Sequence, residues 1–306
     1  MNSITLDAPA KVNIFLEVLD KRRDSYHNIH TLFERISLAD TVRISKIPSG
    51  IEIVSEPPVT RSPKDNIAYA AAKAVIDGYK LKRGVRIKIK KRIPVAAGLG
   101  GGSSDAAAVL IGMNRLFKLG ISKRGLMRMA ARIGSDVPFF ALETPFAIGS
   151  SRGERLRAVG IKERFWHVVV NPGFKLPTKD VYRAFDTSTK LGIDPEQRRR
   201  IDTSDFALTR RRPDAKINLR SKTALDISAL GSMLHNDLED TVVAKKKAVG
   251  VIIRRLASLS KGRAIVSGSG PSVFCLCGTR KEALGISRAL SYGGRTGRQI
   301  FIARTF

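Results

Sequence analysis

The chain has 306 residues, and its hydrophobic fraction of 43% supplies enough apolar material for a large core and excludes a disordered protein. Chains of this length usually fold as two domains, and no apolar run approaches the roughly 18 residues needed to span a membrane. Lysine and arginine number 55 against 27 acidic residues, for a net charge of +28, while the aromatic content of 6% argues against a stacking platform for single-stranded nucleic acid.

The first predicted elements are strands. Apolar residues alternate with polar ones along residues 11–19 and again along residues 41–47. We expect the second of these strands to form a hairpin with residues 51–54 across a Pro-Ser-Gly turn. A helix then begins at Asn66, and Asp65 is available as its cap.

A glycine-rich loop joins a strand at residues 85–90 to a helix at residues 104–117. Glycine lets the backbone approach a ligand closely and adopt positive φ, and the start of the helix offers unpaired amides that suit a phosphate group. Two serines add hydroxyls for phosphate oxygens or metal-bound water. The loop residues are Pro94, Val95, Ala96, Ala97, Gly98, Leu99, Gly100, Gly101, Gly102, Ser103 and Ser104.

The spacing of this loop differs from two common phosphate-binding motifs. The P-loop ends in Gly-Lys-Ser/Thr, and no lysine follows Gly102. The Rossmann pattern needs a third glycine where this chain has Ser103. A flexible linker is disfavoured because the strand and the apolar helix adjoin the loop without a polar spacer. The sequence therefore predicts a phosphate-binding loop of another type.

Helices and short strands are predicted for the rest of the chain. Residues 123–133 form a helix that Ser122 caps, and residues 165–170 form a strand. Residues 186–220 mix Pro, Arg, Lys and Asp with little periodicity, so we expect a loop-rich insertion there. The later elements are a helix at 245–259, strands at 264–266, 273–276 and 299–303, and a helix at 281–290.

The cysteines and the start of the chain indicate a cytoplasmic protein. Cys275 and Cys277 are the only cysteines, and their spacing puts them on one face of a strand. Two buried thiols are favoured over a metal site, because the neighbourhood supplies no other ligands. The chain enters a strand at Ile4, which leaves no room for a leader peptide.

The excess of positive charge has three interpretations. It fits nucleic-acid binding, attraction of highly anionic substrates to a cleft, or an ordinary solvated surface. Basic clusters occur at residues 198–200, 210–212 and 245–247. Because no RNA-binding motif or Cys/His finger accompanies them, the solvated surface is favoured and nucleic acid is not expected as a partner.

The glycine loop resembles the phosphate loop of the GHMP kinases, which include galactokinase, homoserine kinase and mevalonate kinase. Further segments narrow the resemblance to the 4-diphosphocytidyl-2-C-methyl-D-erythritol kinase family. It extends from Leu6 to the C-terminus and is weakest between residues 186 and 223. The segments are APAKVN at 8–13, DSYH at 24–27, GSDVPFF at 134–140 and SGSGPS at 267–272.

The resemblance implies an α+β, two-domain GHMP kinase fold with the active site between the domains. Residues 1–157 would form the N-terminal domain, which is like ribosomal protein S5 domain 2 and carries the ATP-binding glycine loop. Residues 158–306 would form a ferredoxin-like C-terminal domain with a basic, loop-rich insertion near residues 186–222. A monomer or a homodimer is expected.

The implied reaction is ATP-dependent phosphorylation of the 2-hydroxyl of 4-diphosphocytidyl-2-C-methyl-D-erythritol, a step of non-mevalonate isoprenoid synthesis. ATP and Mg²⁺ are the implied cofactors, and no protein side chain is assigned as a metal ligand. Two catalytic residues carry over from the family motifs. Asp136 would orient the acceptor hydroxyl and take its proton, while Lys11 would stabilise the transferring phosphoryl group.

The resemblance also implies two groups of binding residues. On the ATP side, Asn66 and Lys91 would line the adenosine and residues 94–104 would hold the phosphates. The DSYH segment would grip cytidine, although Ser25 replaces the glycine usual in the family and would be strained if the position needs positive φ. The substrate residues would be Asn13, Tyr26, His27, Thr178, Tyr182, Gly268, Ser269 and Gly270.

Structural alternatives remain open for several of these residues. Asp136 has an alternative role as a helix cap, Lys11 as a solvent-facing lysine and Tyr182 as part of a surface helix. The glycine turn at 268–270 is also typical of a tight strand connection. At the level of function, the alternatives are another GHMP small-molecule kinase and a basic nucleic-acid-binding protein on a kinase fold.

Overall fold

The computed structural model describes residues 2–190, 226–291 and 297–306. In this part of the chain, helices pack against one seven-stranded and one four-stranded sheet, which confirms the predicted α+β class. No helix in the described ranges is long and apolar enough to cross a bilayer.

The larger sheet is built around two long antiparallel strands, β1 (Ser3–Lys21) and β2 (His27–Ile47). On one side β4 (Gly84–Lys90) and then β3 (Ile51–Glu56) continue the sheet. On the other side, β1 pairs in parallel with a short strand from late in the chain. The remaining strands are β5 (Phe146–Ser150), β6 (Arg155–Ala158) and the late strand β8 (His235–Asn236).

The predicted hairpin between residues 41–47 and 51–54 is wrong. The second segment, β3, pairs in parallel with β4, and β4 lies between β3 and β2. The connection between β3 and β4 runs through helix α1 (Ile67–Tyr79), which returns the chain to the same end of the sheet. The apolar residues of β4 are buried in a core cluster that also contains residues of α1.

The helices of the N-terminal half are close to their predicted positions. Asn66, rather than Asp65, caps α1, because its side-chain oxygen accepts the Ala68 amide at 3.0 Å. Helix α2 (Gly101–Phe117) begins at Gly101 rather than Ser104, and so includes the end of the glycine loop. The others are α3 (Lys123–Ile133), which Ser122 caps as predicted, and α4 (Val137–Ala141).

The smaller sheet belongs to the C-terminal half, and its four strands are antiparallel. Its strands lie close to their predicted positions, and Cys275 and Cys277 are buried, unbridged thiols, as expected. In their order across the sheet, the strands are β11 (Gln299–Arg304), β7 (Trp166–Asn171), β10 (Val273–Cys277) and β9 (Ala264–Val266). The helices are α5 (Thr178–Lys190), α6 (Ile227–Ser232), α7 (Glu239–Lys245), α8 (Lys247–Leu259) and α9 (Arg280–Ser291).

Two predictions for this half need correction. The predicted insertion at 186–222 begins within α5, whose helix continues to Lys190, while residues 191–222 lie outside the described residues. The predicted helix at 245–259 is interrupted at Lys246, where α7 ends and α8 begins.

A buried cluster of polar side chains joins the two sheets. Glu34 of β2 pairs with His167 of β7, with Oε2 3.1 Å from Nε2, and both side chains are inaccessible to solvent. The other carboxylate oxygen of Glu34 accepts the Thr305 hydroxyl at 2.6 Å. Because a buried charge is costly without partners, these contacts fix the relative placement of the sheets.

Replacing Glu34 by alanine should lower the free energy of unfolding by about 3 kcal/mol, because it leaves the His167 side chain without a partner in the interior and removes the carboxylate that accepts the Thr305 hydroxyl. The exposed pair Glu17–His30, on β1 and β2, provides the control, and Glu17→Ala should change stability by less than about 1 kcal/mol. Urea unfolding of the three proteins measures the difference. Equal stability of the two variants would contradict a structural role for the buried cluster.

Candidate active site

A large cavity of about 1030 Å³ lies between the glycine loop, β1, α5 and the turn at residues 268–270. It contains both predicted catalytic residues, Lys11 and Asp136. All but three of the other predicted site residues line it as well. The exceptions, Leu99, Ser104 and Gly270, are buried and do not reach its wall.

Lys11 is buried at the centre of the site, with 6% of its side chain exposed. Its ammonium donates to Asn13 Oδ1 at 2.7 Å, and its backbone amide donates to Leu99 O in the glycine loop at 3.0 Å. The alternation of β1 puts Lys11 and Asn13 on one face, as predicted, and both faces of the strand are buried here. The alternative of a solvent-facing lysine is therefore wrong.

Asp136 faces Lys11 across the cavity. It occupies the cap position of α4, but its carboxylate makes no capping hydrogen bond to the helix. Instead Oδ2 lies 3.8 Å from Lys11 Nζ. Burial lowers the pKa of Lys11, and the charge of Asp136 offsets part of that effect. Asp136 therefore holds the cap position of α4 without capping it, and its carboxylate is paired with Lys11 inside the cavity.

The glycine loop is held on one side by protein and open on the other. Gly98 has a φ of 77°, and a Cβ there would lie 2.1 Å from Ser267 O, so this glycine is required by packing. Nothing lies within 4 Å of a Cβ placed on Gly102, in the first turn of α2. Gly100 gives α2 no side-chain cap. The open first turn of α2 can therefore accept an anion.

A buried ion triad holds the chain in place just before the glycine loop. Lys91 Nζ lies 2.5 Å from Asp40 Oδ2 and 2.7 Å from Asp105 Oδ2. Asp40 also accepts the backbone amides of Arg92 and Ile93 at 2.5 and 2.8 Å, just before the loop. Burial raises the pKa of Asp105 to about 7, although Lys91 acts in the opposite direction. Lys91 was predicted to line the adenosine, but its ammonium group forms ion pairs with the two carboxylates of this triad.

The end of the cavity predicted to bind cytidine is formed by Tyr26, His27 and α5. The Tyr26 ring is 53% exposed and packs under the guanidinium of Arg152, 5.0 Å from its centroid. The Tyr182 ring stacks on His27 at 5.0 Å, so one of its faces is already covered. Ser25 has a φ of 67°, which is the strained conformation considered in the sequence analysis.

The second glycine turn closes the cavity opposite the first. Asn236 holds it by donating to the carbonyls of Val266 and Gly268 at 2.9 and 2.8 Å. A Cβ on Gly268 would lie 3.1 Å from Lys11 Nζ, so a side chain here would crowd the ammonium. The hydroxyls of Thr178 and Ser269 are hydrogen-bonded at 2.8 Å, which joins this turn to the start of α5.

Comparison with known families decides which kinase-like chain this is. The model of the GHMP kinases N-terminal domain matches residues 66–144, and that of the GHMP kinases C-terminal domain matches residues 219–295. The 4-diphosphocytidyl-2-C-methyl-D-erythritol kinase of Syntrophomonas wolfei is 36% identical over 92% of both chains. That of Moorella thermoacetica is 38% identical over 95% of both. The chain belongs to the 4-diphosphocytidyl-2-C-methyl-D-erythritol kinase family.

Solved structures agree with this assignment. A crystal structure of 4-(cytidine 5'-diphospho)-2C-methyl-D-erythritol kinase, 31% identical, covers 99% of this chain and 100% of its own, with a TM-score of 0.73. A mevalonate kinase from L. major has a TM-score of 0.72 at 16% identity, covering 99% and 97% of the two chains. The likeness to mevalonate kinase concerns the fold alone. The predicted two-domain GHMP kinase fold is confirmed.

Several cavity residues of this family member were missed by the sequence analysis. Besides Lys11 and Lys91, four basic side chains line the cavity and favour an anionic ligand, but they could not be singled out in a sequence whose positive charge is widely dispersed. Asp105 and Asp186, which also line the cavity, were missed because only the fold brings them next to Lys91 and His27. The basic residues are Lys21, Arg152, Lys179 and Arg183.

Proposed function

We propose that this chain transfers the γ-phosphoryl group of ATP to the 2-hydroxyl of 4-diphosphocytidyl-2-C-methyl-D-erythritol, as part of non-mevalonate isoprenoid synthesis. Membership of the kinase family supports the reaction. The observation that carries its assignment to this cavity is the approach of Lys11 and Asp136 beside the open start of α2. A kinase needs a phosphate site, a cation and an acceptor for the hydroxyl proton close together.

Each of these residues has a distinct part in the proposed transfer. The triphosphate binds the amides at the start of α2, where the helix dipole favours negative charge. The substrate oxygen bonds to the γ-phosphorus as the bond to the ADP oxygen breaks, and the hydroxyl proton passes to Asp136. Lys11 stabilises the phosphoryl oxygens, while its bond to Asn13 holds the ammonium in place.

The residues of the site fit a magnesium ion for which the phosphates of ATP would supply most of the ligands. No group of three His, Cys, Asp or Glu side chains able to bind a metal occurs among the described residues. Mg²⁺ needs few protein ligands when phosphates supply oxygens. Asp105 Oδ1 is buried at the cavity and has no hydrogen-bond partner in the described ranges, so it is the oxygen that suits the ion. When bound, Mg²⁺ would neutralise phosphate charge.

The proposal also covers the domain boundary, the cellular location and the oligomeric state of the protein. We place the domain boundary close to residue 157, because β6 of the larger sheet ends at Ala158 and β7 of the smaller sheet begins at Trp166. A reducing cytoplasm suits the two unbridged, buried cysteines. The catalytic unit would be a monomer or a homodimer.

Release of ADP with different acceptors tests the proposed function. The purified protein should turn over ATP with 4-diphosphocytidyl-2-C-methyl-D-erythritol and not with mevalonate or homoserine, because only the first carries a cytidine for the Tyr26–His27 segment. A coupled ADP assay measures all three. Turnover confined to mevalonate or homoserine would reject the proposed substrate, and salt-sensitive RNA binding without turnover would favour the nucleic-acid alternative.

Replacing Asp136 by asparagine should lower kcat by about 10²- to 10⁴-fold with little change in KM, because the amide cannot take the hydroxyl proton. Steady-state kinetics with both substrates measures the effect. Asp77→Asn, on the exposed surface of α1, makes the same chemical change away from the cavity and should leave kcat unchanged. A kcat for Asp136→Asn within about tenfold of wild type would reject proton transfer to this residue.

A further inference from the structure

His27 is held by a carboxylate from the other half of the chain. Asp186 lies in α5 and lines the same cavity. Its Oδ1 is 2.7 Å from His27 Nε2, and its Oδ2 is 2.5 Å from Lys21 Nζ at the end of β1. Only 5% of the His27 side chain is exposed. One carboxylate therefore ties α5 to both ends of the loop that carries His27.

The imidazole is also held on its ring surface by the same helix. Tyr182 stacks on it with centroids 5.0 Å apart and planes at 27°. Phe185 meets it edge to face at 6.4 Å and 88°. With Asp186, three side chains of α5 contact the ring, so its orientation is set before any ligand binds.

The charge on Asp186 determines which nitrogen of His27 carries a proton. Partial burial raises the pKa of Asp186, but hydrogen bonds from Lys21 and His27 outweigh it, and the pKa lies below its ordinary value. An ionised carboxylate only accepts hydrogen bonds, so Nε2 must carry a proton. Among the described residues, Asp186 is the only hydrogen-bond partner of the His27 side chain. The second ring nitrogen, Nδ1, is therefore left for a ligand.

We propose that Asp186 is a positioning residue that makes His27 select cytosine over uracil. This rests on the proposed function, in which His27 meets the base of a cytidine nucleotide. Cytosine presents an amine donor at position 4 and an acceptor at N3, and uracil presents an acceptor and a donor at the same positions. In the neutral ring Nδ1 can then only accept a hydrogen bond, and we place it at position 4 of the base. There it accepts from the amine of cytosine and opposes the carbonyl oxygen of uracil.

Loss of Asp186 removes this constraint. The ring proton is then free to occupy either nitrogen, and Nδ1 becomes a donor or an acceptor according to the base that binds. The preference between the two bases falls, while the phosphate site at α2, which Asp186 does not touch, stays intact. A merely structural role would weaken binding of both bases and of ATP together.

Binding of CDP and UDP to the full chain, with ADP saturating the other nucleotide site, tests the inference by calorimetry. Wild type should bind CDP at least about tenfold more tightly than UDP. Asp186→Ala should bring the two affinities close together, and Asp186→Glu, which keeps a carboxylate, should restore part of the preference. Asp180→Ala, on the exposed side of α5, is the matched control and should behave as wild type.

Kinetics with the cytidine-linked alcohol adds a second readout. Asp186→Ala should raise its KM about tenfold, with kcat at saturation and the KM for ATP unchanged, because one hydrogen-bonded contact to the base is weakened. If the alanine variant does not fold, Asp186→Ser, too short to reach Nε2, takes its place in both measurements.

Three results would overturn the inference. They are equal affinity of wild type for CDP and UDP, an unchanged preference in Asp186→Ala, and a parallel loss of ADP and CDP binding in that variant. Failure of the proposed function gives a different pattern. Wild type would then select CDP, and lose that preference with Asp186→Ala, yet would not phosphorylate the cytidine-linked alcohol.

Discussion

The site depends on a lysine ammonium held in the interior beside the glycine loop that is proposed to bind phosphate. Burial disfavours the charge of Lys11, and the structure offsets this with Asn13 at 2.7 Å and Asp136 at 3.8 Å. The same residue fixes the loop, since its amide binds Leu99 O at 3.0 Å. Lys11 on β1 thus supplies the buried cation and also holds the glycine loop in place. Because the ammonium is partly desolvated, its attraction for a phosphoryl group is stronger than it would be in water.

Both halves of the chain are needed to complete this arrangement. Strand β1 pairs on one side with β2 and on the other with β8, whose Asn236 holds the second glycine turn. That turn approaches Lys11 so closely that a Cβ on Gly268 would lie 3.1 Å from the ammonium. The Glu34–His167 pair joins the two sheets on which these segments depend. The glycine loop is therefore shaped by protein contacts before any nucleotide binds, and electrostatic preorganisation of this kind is how kinases lower the barrier to transfer.

Local features were readable from the sequence and long-range pairings were not. The Ser122 cap, the buried cysteine pair and the shared face of Lys11 and Asn13 follow from turn chemistry and strand alternation. The hairpin prediction failed because β3, which follows β2 in sequence, and β4, which comes later, have the same apolar alternation. In the structure β4, and not β3, pairs with β2. The role of Asp186 could not be predicted for a related reason, because only the packing of α5 brings it close to its partner His27. The family resemblance supplied Lys11 and Asp136 as the proposed catalytic pair, and no local rule predicts that these two residues lie close together.

The central claim is that, in one phosphoryl transfer, Lys11 acts on the phosphate of the donor and Asp136 acts on the hydroxyl of the acceptor. A crystal structure with a non-hydrolysable ATP analogue and 4-diphosphocytidyl-2-C-methyl-D-erythritol tests it most directly. The account predicts a terminal phosphate at the start of α2 in contact with Lys11 Nζ, and a substrate hydroxyl within about 2.6–3.2 Å of an Asp136 oxygen. A terminal phosphate bound away from Lys11, or a hydroxyl out of reach of Asp136, would contradict it.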